Sequence, residues 1–193
     1  MADFIKEQGD LNFLRFRKSG RYFGSFLTGG TITTQSVASA NSLRAFPFFI
    51  PKTALFDRIA IRVTTAGTGT TPRARIGVYE DNGNIYPGQL TLDAGEVDVS
   101  SIGLKELTIS LKLKSGKLYW LAFVGQDTTS LALAAIPTTD SLATFLGFDN
   151  ALSGSAFLGI AHVQTYGVFP EIFPSSSPID WSLHVPLIAL RKA

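Results

Sequence analysis

Two histidines, no cysteine and a scatter of carboxylates are the residues from which this chain could build chemistry. His162 and His184 each fall in an apolar, strand-like stretch, and neither belongs to an H-x-H or H-E-x-x-H pair that would present two imidazoles to one metal. Without cysteine there is no disulfide, thiolate nucleophile or thiolate zinc site. Serine is abundant, but no G-x-S-x-G elbow lifts one out as a nucleophile, and no G-x-x-x-x-G-K-[ST] loop cradles phosphate. Glu80 and Asp81 stand beside Asn82 and Asn84, a set of hard oxygen ligands suited to Ca²⁺. Their spacing is not that of an EF-hand, and Asp-Asn-Gly-Asn reads first as a solvated hairpin turn. No carboxylate pair stands out as the acid and base of a glycosidase. The expectation is therefore a protein with no catalytic residue, cofactor or metal.

Aromatic rings offer a different chemistry, because their faces stack on the C–H faces of sugars. Strand alternation groups Trp120 with Leu118, Ala122 and Val124, which is a core pattern. Tyr79 and Tyr86 flank the polar turn and are the better candidates for exposure. A glycan site would then comprise Tyr79, Asp81, Asn82, Asn84 and Tyr86. One basic cluster stands out near the N-terminus: Arg15, Arg17, Lys18 and Arg21, interleaved with Phe13, Phe16 and Tyr22. With a net charge of only +2, this points to docking on an acidic protein surface rather than to nucleic acid. Phe13, Arg15, Phe16, Arg17 and Arg21 are the candidate assembly anchors.

The elements that must position these residues read as strands. Ile59, Ile61 and Val63 alternate with Arg58, Arg62 and Thr64. Ala74, Ile76 and Val78 alternate with Arg73 and Arg75. Residues 107–113 give the cleanest alternation, and residues 117–125 are apolar on both faces, as in a strand covered on both sides or lying at a subunit interface. Residues 66–71, 81–84 and 115–116 read as turns, and Pro87-Gly88 as another. Residues 90–99 are interrupted near Gly95, and Pro47 pushes residues 43–50 toward an edge or bulge. Three prolines exclude regular structure from residues 170–178. Sustained helical periodicity and internal repeats are lacking, so the pattern fits an all-β, antiparallel two-sheet jelly-roll-like sandwich over residues 31–193. Residues 1–30 read as an N-terminal anchoring arm, with an edge strand on the chain's own domain as the alternative for its first twenty residues. The sequence has no signal-peptide pattern and no apolar run long enough to span a bilayer as a helix. Charged residues make up 17% of the chain, below the roughly 25% usual for soluble domains, which suggests that a partner covers part of the surface.

Several segments also carry a resemblance. FDRIAIRVTTAGTG (56–69) contains D-x-I-x-I-x-V, and the stretch from Ala74 to Gln126 contains R-x-G-[IV]-Y, P-G-x-L, D-x-G-x-V-D and L-Y-W-L-A in that order. FPEIFPSSSP (169–178) supplies a P-x-x-F-P close. Together, over about residues 55–190, they resemble a module of tailed-bacteriophage virion proteins, found in tail-fibre and head-surface proteins. The resemblance implies a jelly roll similar to carbohydrate-binding modules, without catalytic residues. It also implies a homo-oligomer, with a trimer as one form, made in the host cytoplasm and incorporated into the virion. There it would contact capsid or tail proteins, and a host surface glycan is a further candidate partner. The expected role is a short tail-fibre or receptor-binding appendage, or a capsid decoration subunit. The competing expectation is a free-standing glycan-binding module. A polysaccharide depolymerase is disfavoured by the short chain and the lack of a repeated β-helix.

Overall fold

Ile59, Ile61 and Val63 lie on one strand and all three are buried, with Arg62 exposed between the last two. This alternation recurs through the computed structural model, which describes residues 19–24, 31–126, 128–138, 146 and 157–193. These residues form strands β1 (Tyr22–Gly24), β2 (Thr33–Ser36), β3 (Ser42–Ile50), β4 (Ala54–Thr65), β5 (Arg73–Asp81), β6 (Pro87–Asp98) and β7 (Gly103–Leu113). They continue with β8 (Lys117–Gln126), β9 (Ala132–Ile136), β10 (Gly159–Val163), β11 (Ile179–Trp181), β12 (Val185–Pro186) and β13 (Ile188–Lys192). Among the described residues there is no α-helix.

The pairing is nested. β5 pairs with β6, β4 with β7, β3 with β8 and β2 with β9, all antiparallel. A long two-stranded ribbon folded over on itself gives this pattern, and folding deals its strands alternately into two sheets. One sheet holds β2-β9-β4-β7 and the other β3-β8-β5-β6. This is a jelly roll, so the all-β two-sheet sandwich expected from the sequence is the fold. β10 and β11 extend the second sheet beyond β3. At the C-terminus, β12 pairs with β9 and β13 with β4, and β1 adds outside β13.

Between the sheets lies a core built from alternate residues of both, including Phe46, Phe56, Ile59, Ile76, Leu113 and Phe123, all essentially without exposure. Each such side chain contributes roughly 1.5–3 kcal/mol by burial. Pro47 is tolerated in β3 because β10 pairs only with residues 42–45, leaving the remainder of that side an edge. Gly95, with a φ of 101°, sits where the β5–β6 register shifts, so the expected interruption is a bulge.

Three expectations need correction. Pro87-Gly88 is not a turn but the start of β6, where the missing proline N–H is harmless at the first strand position. Residues 157–169, whose alternation at Ala161, Val163 and Thr165 reads as a return to strand, form strand only over Gly159–Val163. Tyr22–Gly24, assigned to the arm, is a strand of the first sheet in register with Ala189–Arg191. Arg21 is exposed at its start, with its carbonyl accepting from the Lys192 amide. Phe13, Arg15, Phe16 and Arg17 lie outside the described residues.

Candidate functional site

The polar turn between β5 and β6 is where exposed hydrogen-bonding groups and aromatic rings come together. Its backbone is tightly specified. The Asn82 amide donates to the Tyr86 carbonyl, the Asn84 amide to Asn82 Oδ1, and the Gly83 amide to Asp81 Oδ1 at 2.7 Å. Gly83 takes a φ of 93° and Ile85 one of 56°, so the loop reverses through left-handed conformations. Asp81 Oδ2 accepts from Trp120 Nε1 at 3.0 Å, tying the turn to the middle of β8. Both Asp81 oxygens are thus engaged. Among the described residues, no group of three or more acidic or imidazole side chains is placed to hold a metal ion.

Asn82 and Asn84 are exposed, and their side chains present amide groups at the tip. Tyr86 is half-buried. Its hydroxyl donates to the Pro174 carbonyl at 2.7 Å and its ring meets the edge of Phe173. Tyr79 is a correction: it is fully buried, so it cannot stack on a sugar. β5 turns its ring onto the outer face of the second sheet, where it packs against Phe169 and Phe173, and its hydroxyl donates to the Pro170 carbonyl. Burial, and secondarily the Asp93 charge, pushes this phenol well above its usual range.

That outer face is occupied by the chain itself. Tyr79, Trp120, Leu43, Ala45, Ala122, Val124, Phe169 and Phe173 form a second apolar cluster, separate from the core between the sheets. Residues 164–174 cross it as a strap. At one end the Gln164 and Tyr166 amides donate to the carbonyl and side-chain oxygens of Asn41. In the middle the Phe169 amide donates to Asp93, which also receives two hydrogen bonds from Arg75 Nη1 and one from the Gly95 amide. At the other end the strap runs beside β6, with the Leu90 amide donating to Glu171 and the Phe173 amide to Gly88. Gly77 lies directly beneath: a Cβ there would stand 2.6 Å from the Phe169 ring and 2.4 Å from the Leu92 carbonyl. β8 is therefore central and covered on both faces, one of the two alternatives its composition left open.

Several residues of the resembling segments also bond to one another or to the end of the chain. Arg75 of R-x-G-[IV]-Y binds Asp93 and Glu96 of D-x-G-x-V-D. Tyr79 and Gly88 bind Pro170 and Phe173 of the proline-rich close. Asp57 of D-x-I-x-I-x-V takes a two-pronged bond from Arg191 at 2.9 and 2.7 Å, which holds its carboxyl below the usual range.

Sequence reasoning missed Arg44. It alternates with Phe46 and Phe48 on the inner face of β3 and is only 2% exposed. Its guanidinium lies 4.8 Å from the Trp181 ring and 6.0 Å from Phe123, with one long 3.5 Å bond to the Val37 carbonyl and no partner at Nε. Burial pulls its pKa down to about 10. An arginine within LRAFPFFI is the only sequence signal of this buried cation. The histidines are placed structurally: His184 Nδ1 accepts from the Thr138 amide, and His162 is half-buried on β10.

No protein-family model matches the chain, and no curated protein matches it either.

Proposed function

We propose that the chain is a structural or attachment subunit of a bacteriophage particle, either a short tail appendage or a capsid decoration subunit. The jelly roll would project from the particle, and the residues before the first sheet strand would anchor it. The observation that carries this reading is the mutual wiring of the motifs. The resembling residues on β5, β6, β8 and the strap meet on one face of the second sheet, which supports reading them as one module. Jelly rolls serve viral capsids and lectins alike, so the fold by itself carries no choice between them. The anchor is tested by deleting residues 1–18, which contain Phe13, Arg15, Phe16 and Arg17. The truncated protein should keep the strand-rich spectrum and melting temperature of the full chain, yet fail to join particles. Incorporation at the normal level would reject the anchor.

A second reading, glycan recognition, is favoured by the exposed Asn82 and Asn84 on a turn made rigid by Asp81 and Trp120. Tyr79 has no part in it, and Tyr86 offers one edge of a half-buried ring. On a host-polysaccharide array, binding lost in Asn82→Ala/Asn84→Ala with an unchanged melting temperature would support this reading. Absence of any binding by the native protein would end it.

A further inference from the structure

β7 pairs with β4 along one side, and among the described residues no strand pairs with its other side. It is the long free edge of the first sheet, and its sequence is nearly a mirror of itself about Ile109. Thr108 and Ser110 flank that residue, Leu107 and Leu111 come next, and Glu106 and Lys112 follow. We propose that this edge pairs antiparallel with β7 of a second copy of the chain, about a two-fold axis through Ile109.

In that register every cross-strand neighbour matches. Ile109 meets its own copy, Leu107 meets Leu111, Thr108 meets Ser110, and Glu106 meets Lys112, each of the last three pairs occurring twice. A two-fold interface requires this reciprocity, and opposite charges, hydroxyl pairs and apolar pairs are the combinations that stabilise adjacent strands. The two faces also agree. Leu107 and Ile109 are only partly buried against the core, and the second copy would cover their open flanks. Glu106, Thr108, Ser110 and Lys112 are exposed on the outer face. Glu106 already accepts from the Tyr22 hydroxyl and lies 3.7 Å from Arg58, while Lys112 has no ion pair among the described residues. Two features blunt this edge against indiscriminate pairing. Lys105 is drawn toward Ser101 at one end, and the β4–β7 register shifts between Phe56 and Arg58, opposite residues 109 and 110. The second of these falls at the two-fold axis itself, so the paired strands must share its local twist there.

The inference stands whether or not the chain serves a virion, because it concerns the isolated protein. Sedimentation velocity over a concentration series should show the full chain as a concentration-dependent dimer. Lys112→Glu, an exposed change that should leave the circular-dichroism spectrum intact, should weaken the dimer by about tenfold or more. Thr108→Cys/Ser110→Cys introduces the only thiols in the chain, within the Cα separation a disulfide spans, and should give a covalent dimer under mild oxidation. A native chain that stays monomeric at the highest concentration it tolerates would overturn the proposal. So would an oligomer indifferent to Lys112→Glu, or a double-cysteine variant that does not cross-link.

Discussion

Arg44 is the residue whose placement runs most against its chemistry. A cation without a carboxylate partner among the described residues, set against Trp181 and Phe123, keeps some cation–π attraction but gives up its hydration. Replacing it with an apolar side chain of similar length removes that desolvation cost. Arg44→Met is expected to leave stability unchanged or raise it by about 1–2 kcal/mol, as read by urea denaturation. A loss of more than about 2 kcal/mol would mean that the charge is paid back by a partner other than the two rings. Gly77 makes the opposite case, since even one methyl has no room between Phe169 and the Leu92 carbonyl. Gly77→Ala is expected to cost about 2–3 kcal/mol and to make residues 164–174 cleavable by protease before the rest of the domain. Equal resistance in the two proteins would contradict the close approach of strap to sheet.

At the scale of elements, the strap and the sheet beneath it are coupled through phenols. Burial raises the pKa of Tyr79, Tyr86 and Tyr166, with Asp93, Asp180 and Glu96 respectively adding to it. An acid whose folded-state pKa is raised holds its proton in the folded chain while the unfolded chain loses it. Stability is therefore complete below the unfolded value of about 10 and declines as pH rises beyond it. The melting temperature should fall as pH rises above about 10. Tyr79→Phe should start about 1 kcal/mol less stable, having lost the bond to Pro170, and then decline less steeply. A Tyr79→Phe variant that loses stability with pH as steeply as the native chain would contradict the burial.

Much of this element-level picture was legible in the sequence. Ile59, Ile61, Val63, Ala74, Ile76 and Val78 announced their strands because a half-buried strand writes its burial with period two. Residues 117–125, apolar on both faces, announced a doubly covered strand but not what covers it. The strap was legible only as a place where regular structure stops, because three prolines exclude a ladder without saying where the chain goes. Tyr79 was misjudged for the same reason. Its neighbours in sequence are a polar turn, whereas its neighbours in space, Phe169, Pro170 and Phe173, come from about ninety residues away. Arg44 was missed because its guanidinium packs on Trp181, which lies still further away in the chain.

For the whole molecule, the nested pairing of β2 with β9 through β5 with β6 gives a jelly roll with one outer face sealed by its own chain. Among the described residues, the free edge of β7 and the polar turn at residues 81–86 are left uncovered by the chain. On the proposed reading the protein acts by being held in a particle, and the most direct measurement is whether it is held there. Quantitative mass spectrometry of gradient-purified phage particles should find this chain at a fixed stoichiometry to the major capsid protein, retained through repeated purification. Finding it free in the lysate and absent from the particles would contradict the account.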